Sequence, residues 1–278
     1  MTWPFWRRAP EALLGLMLVA GACEPDNAVK PGAPQLVSLA VYDNTDGAST
    51  TALELTSEAG AAAVSGYAHV TALFDRLLDP SGLIVFADGG PDVGADLATV
   101  TATPGPTPPW TSIYSANGGD VGLYFPRGPS LVVTPSPTFP SGATIVVTLD
   151  KSKLHSRKGE MVTGAGDLAA ATLTFRTLPF DAAVASPADA MSPVLVTFSN
   201  VPADTASASI TMLSNGAAFT DFDIGPDPSK DPRMLDLTPK TAWPAGAAMQ
   251  VDIAATAADA LGAHLAGAVT FPFQIPSS

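Results

Sequence analysis

The side chains able to do chemistry are sparse in this sequence. Its three histidines, His69, His155 and His264, lie far apart along the chain. There is no G-x-S-x-G elbow, no phosphate-binding loop and no H-E-x-x-H pair. The single cysteine, Cys23, directly follows an N-terminal apolar run and lies ahead of the domains, which leaves no thiol nucleophile for a folded domain. The pattern predicts a protein that is not an enzyme and takes no cofactor. His69 is expected on the polar face of a strand, with His155 and His264 solvated in loops. The closest approach to a metal set is Asp221, Asp223 and Asp227, with Asp231 beyond, in the stretch FTDFDIGPDPSKDP. Calcium takes six to eight oxygens from spaced carboxylates and carbonyls. Here Pro226, Pro228 and Pro232 interrupt the run, its spacing fits no calcium loop, and it is read as a polar hairpin connection with no metal expected.

Two further groups could hold a ligand. Lys151, Lys153, Arg157 and Lys158 form a basic run, KSKLHSRKG, in an otherwise acidic chain. It reads either as a solvated loop or as a contact for an anionic glycan or lipid headgroup. Trp110 and Tyr114 lie in residues 87–120, whose ADGGPDVGAD and TPGPTPPW segments predict a long irregular loop. Such a loop is either an excursion anchored by its aromatics or a binding loop.

The elements that must position these residues follow from a repeat. LVVTPSPTFPSGATIVV, starting at Leu131, returns 104 residues later as LDLTPKTAWPAGAAMQV, starting at Leu235. A gap-free repeat of this kind means two copies of one unit. Within each copy apolar residues alternate with polar ones, the mark of a half-buried antiparallel strand. Phe139-Pro140-Ser141-Gly142 and Trp243-Pro244-Ala245-Gly246 each suit a type I turn. The aromatic before each turn is expected to plug the end of a core. Pro272 removes a ladder donor and marks its strand as an edge or a bulge.

The chain has 278 residues, 46% of them apolar and only 14% charged, which suits two all-β domains rich in turns. Its net charge of −13 makes a broad basic face for nucleic acid implausible. At the N-terminus, Arg7 and Arg8 precede the apolar run LLGLMLVAGA, which is too short to span a bilayer. The run ends at Ala20-Gly21-Ala22-Cys23, and this resembles a bacterial lipoprotein signal. The resemblance implies export, cleavage after residue 22, and lipid on Cys23 anchoring the protein to a bacterial membrane, expected to be the outer membrane. Loss of Arg7, Arg8 and Glu11 would shift the net charge from −13 to −14.

The second copy runs SPADA, VLVTFSN, LDLTP, WPAGA and VTFPF. The first runs VTALFD, LDPS, LVVTP, FPSGA and LTFRT. Both resemble bacterial Ig-like domains of S-layer and surface proteins, and the resemblance implies seven-stranded antiparallel β-sandwiches. The expected organisation is a signal peptide over 1–22 and a tether over 23–34. A first Ig-like β-sandwich follows over 35–177, with a loop insertion near 87–120, and a second covers 180–276. Thr177 to Phe180 is short enough to predict a fixed end-to-end relation, with Leu178 and Phe180 in a seam. The expected function is a structural spacer or adhesion module. The alternative is a carbohydrate- or envelope-binding module using the 87–120 loop and the basic run. Expected partners are the membrane, through Cys23, and envelope glycans or other surface proteins, with no nucleic acid.

Overall fold

The computed structural model describes residues 32–43, 51–54, 63–81, 83, 97–116, 128–226 and 231–275. Among them the chain is all-β, with three short 3-10 turns and no longer helix. The first half contributes β1 (Gln35–Asp43), β2 (Thr51–Glu54), β3 (His69–Phe74), β4 (Ala98–Thr103), β5 (Trp110–Ser115), β6 (Ser130–Pro135), β7 (Thr144–Leu149), β8 (Thr163–Gly164) and β9 (Thr172–Arg176). The second contributes β10 (Ala182–Ala185), β11 (Val194–Phe198), β12 (Ile210–Ser214), β13 (Ala217–Phe219), β14 (Phe222–Pro226), β15 (Met234–Pro239), β16 (Ala248–Ile253) and β17 (Val269–Gln274).

In the first half, the sheet β2-β1-β3-β6-β5, with β8 parallel to the start of β1, packs on β4-β7-β9. In the second, β10-β11-β15-β14 packs on β13-β12-β16-β17. The two halves match strand for strand once β2, β8 and β13 are set aside. The first, second, fifth and fourth strands of each form one sheet; the third, sixth and seventh form the other. This is the strand order of an immunoglobulin-type sandwich. The sequence repeat falls on the fifth and sixth strands, and both pairs are offset by 104 residues with the same bounds in each copy. The closing strands β9 and β17 start only 97 residues apart. The connection carrying the basic run is therefore longer in the first copy.

Each half has its own hydrophobic core. Leu39, Val70, Leu131, Val133, Ile145 and Val147 centre the first. Val194, Val196, Leu237, Met249 and Val251 centre the second. The alternation read from the sequence is visible in β7, where Ile145, Val147 and Leu149 point in and the residues between them are half-exposed. Phe139 and Trp243 cap corresponding ends of the two cores, and both are fully buried. Phe139 meets Phe175 edge-on at 5.4 Å, and Trp243 lies against Phe219 and Phe222. Gly142 and Gly246 hold nearly the same left-handed φ, 68° and 69°, a conformation glycine adopts without a Cβ penalty. Their amides donate to Leu178 and Ile275, tying each turn to the segment after the closing strand. Pro272 lies on β17, the edge of its sheet.

The expected irregular loop over 87–120 is corrected here. Its described portion forms two strands, β4 paired with β7 and β5 paired with β6. Between these two strands Pro and Gly fall in the connection at residues 104–109, so they punctuate the strands without preventing them. A strand expected at Val121–Phe125 lies outside the described residues, as does most of one expected at Leu83–Phe86.

Candidate functional site

The structure separates the residues that the sequence grouped as ligand candidates. Trp110 opens β5 opposite Pro135, is half-buried, and packs against the first core. Tyr114 is corrected from a possible ligand contact to a core residue. It is 2% exposed, and its hydroxyl accepts the amide of Leu78 at 2.9 Å. Burial raises its phenol above the ordinary value.

The basic run lies at the opposite end of the sandwich from Trp110. Trp110 sits beside the Thr144 end of β7 through β4, whereas Lys151 follows Leu149 at the other end. A six-residue strand is about 20 Å long, so the two cannot line one small pocket.

Each basic side chain has its own setting. Lys151 Nζ donates to the carbonyl of Ala169. Lys153 pairs with Asp150 at 3.6 Å. Asp150 also accepts the amide and hydroxyl of Ser152, which hold its carboxyl below the usual range. Arg157 and Lys158 are exposed at the tip of a tight hairpin closed by the bridge between His155 and Met161. Ser156 shapes that hairpin. Its Oγ accepts the amides of Lys158 and Glu160, while its carbonyl accepts the amide of Gly159.

This end of the sandwich is also where the chain enters it. Pro34 accepts the amide of Thr163, and Gln35 donates to Asp75 Oδ1 at 2.7 Å. Asp79 donates its amide to His155.

The acidic candidates do not converge. Asp221 accepts the hydroxyl of Thr241 at 2.6 Å, and Asp223 pairs with Lys240 at 3.1 Å. Asp227 lies outside the described residues, as does Cys23. Among the described residues no group of three or more acidic, histidine or cysteine side chains is placed to hold a metal. His69 is corrected from a solvated position to a buried one, 3% exposed and stacked on Tyr42. Burial pulls its imidazole from 6.5 down to about 4. The sequence placed it correctly on the outer face of β3, but in the folded chain that face is covered: Thr71, Ser130 and Val132 are buried as well.

The most connected polar cluster was not anticipated. Ser141, in the first turn, donates through Oγ to Asp259 Oδ2 at 2.7 Å. Asn200, just after β11, donates through Nδ2 to the carbonyl of Phe139, to Ser141 Oγ and to the same Asp259 oxygen. The other oxygen of Asp259 accepts the amides of Leu261 and Ala263. Asn200 and Asp259 are each 1% exposed. Ser65 Oγ donates to the carbonyl of Ser199, and Arg233 lies 5.9 Å from the centre of the Tyr67 ring. Gly66 lies beneath this cluster, where a Cβ would meet the Phe139 carbonyl at 2.4 Å and the Asn200 amide at 2.5 Å.

These groups come from both sandwiches and form a buried hydrogen-bonded seam. The connecting segment is fixed at both ends. Thr177 Oγ1 donates to Pro140 O, and Ser199 Oγ donates to Pro179 O. Leu178 is half-buried. Phe180, expected in the seam, is instead part of the second core and stacks on Phe198 at 5.2 Å. The seam is polar and positional, and neither side of it combines an acid, a base and a nucleophile.

Among the described residues no helix is long and apolar enough to cross a membrane. No protein-family model matches the chain, and a search of curated proteins gives no significant match.

Proposed function

We propose that this chain is a non-enzymatic, lipid-anchored envelope protein whose two sandwiches act as a spacer or adhesion module. One observation carries the reading: the seam of Ser141, Asn200 and Asp259 joins the sandwiches through buried side chains rather than through the linker alone. A buried, fully partnered polar cluster fixes one relative placement, because any other would strand its groups without partners. A fixed placement serves a module that must present a surface at a set distance. The leader supports the anchoring: two arginines, a short apolar run, small residues and then Cys23. A lipid on Cys23 would hold the protein at a membrane surface, since each buried acyl methylene adds to the attachment.

The test is fractionation of cells expressing the full chain with and without globomycin, alongside Cys23→Ala. Both treatments are expected to release the protein from membranes or block its maturation. Unchanged membrane retention of the Cys23→Ala protein would overturn anchoring at this residue.

A further inference from the structure

We propose that the hairpin His155–Met161 faces the membrane and holds its end of the first sandwich against anionic lipid headgroups. The proposal builds on the lipid-anchored reading and adds an orientation to it. Four of the thirteen lysines and arginines lie between Lys151 and Lys158. Arg157 and Lys158 stand exposed at the hairpin tip, and Met161 at its base is 59% exposed. Val37, on the first strand at the same end, is 50% exposed. Cations beside exposed apolar side chains suit an interface where phosphates lie above acyl chains.

The position of this end within the molecule gives the patch its meaning. The chain enters the fold here, at Pro34 and Gln35, held by Thr163 and Asp75. Eight residues lie between Cys23 and Gly32, so the nine chain steps reach at most about 30 Å. A lipid on Cys23 would therefore keep this end, and not the far end of the second sandwich, within range of the bilayer. That far end carries Asp189, Asp221 and Asp223, with Lys240 paired to Asp223. A chain of net charge −13 is repelled by an anionic leaflet as a whole. The hairpin's cations share their end with Asp75, Asp79, Asp150 and Glu160, which offset part of the positive charge and leave it the less acidic end, the one that approaches. Each cation near such a surface favours contact by about fivefold, so Arg157 and Lys158 together supply roughly 30-fold.

The test anchors the protein without using the cysteine lipid. The chain from residue 23, with Cys23→Ser and an N-terminal hexahistidine tag, is bound to vesicles through a nickel-chelating lipid. A dye is attached at Ala170→Cys, an exposed position beside Lys151, or at Ala245→Cys on the far turn. Quenching by a headgroup-attached quencher is compared at each position on phosphatidylglycerol and phosphatidylcholine vesicles.

The Ala170 dye is expected to be quenched severalfold more on phosphatidylglycerol, and the Ala245 dye equally on both. Arg157→Glu with Lys158→Glu should remove the difference, and so should high salt acting on the unmutated pair. Equal quenching of the Ala170 dye on the two lipids would overturn the proposal. So would a lipid difference that survives both charge reversal and salt. A charge reversal that abolishes binding to isolated cell-wall glycan while leaving vesicle quenching unchanged would overturn it in favour of a glycan contact. Because the nickel lipid replaces the cysteine lipid, failure here leaves the Cys23 reading standing, and the two failures are told apart.

Discussion

Asn200 Nδ2 lies 3.0 Å from the carbonyl oxygen of Phe139, and this hydrogen bond runs from the second sandwich to the residue that plugs the first core. The same amide reaches Ser141 across the junction and Asp259 within its own sandwich, so one side chain serves three acceptors. Asn200→Ala would remove the donor to the buried Phe139 carbonyl and leave Asp259 Oδ2 with Ser141 as its partner. The expected cost is about 2–4 kcal/mol. Urea unfolding of the variant should show two separated transitions where the parent shows one. A single transition with an unchanged midpoint would mean that the seam does not couple the two sandwiches.

Gly66 tests the same junction by crowding rather than by loss. Any side chain there meets the backbone oxygen of Phe139 and the Asn200 amide closer than atoms can pack. Gly66→Ala should cost about 2–3 kcal/mol by overpacking, although alanine suits most backbone conformations better than glycine. A melting temperature equal to or above that of the parent would show that the sandwiches can part at little cost.

His69 makes stability depend on pH. Its imidazole is neutral in the fold because burial lowers its value from 6.5 to about 4. The unfolded chain takes up the proton first as pH falls, so the stabilisation is full above about pH 6.5. It is lost progressively down to about pH 4, and the total is about 3 kcal/mol. His69→Phe should flatten the profile across that window. The measurement is the urea midpoint at a series of pH values between 7 and 4. A slope there that is identical in parent and variant would assign the effect to other groups.

Trp243 and Phe139 occupy equivalent positions, but only the indole carries a hydrogen bond, from Nε1 to the carbonyl of Ser192 at 2.8 Å. Trp243→Phe should cost about 1–2 kcal/mol, because the ring is partly replaced while Ser192 loses its donor. Trp243→Ala should cost about 3–5 kcal/mol. Comparable losses from the two changes in chemical denaturation would show that the indole N–H, not the ring volume, dominates.

Much of the fold was legible because it is written in local pattern. The alternation in β6, β7, β15 and β16 and the Pro-x-Gly turns between them are short-range signals, and the 104-residue offset between copies survives in the strand bounds. β4 also alternates, with Ala98 and Val100 inward and Thr99 and Thr101 outward. It was obscured by the Pro and Gly on either side, which mark the ends of strands as readily as their absence.

The sequence determined the class of the fold, the aromatic plugs and the edge strand of Pro272, since each follows from residues a few positions apart. Only the tertiary structure decided which polar residues matter. Ser141, Asn200 and Asp259 are distant in sequence and each looks like an ordinary turn residue; they become a site when two turns and a loop from different sandwiches meet. His69 and Tyr114 were misjudged for the same reason. Their strand positions give the face they lie on, but burial depends on what covers that face, and segments far away in the chain decide that.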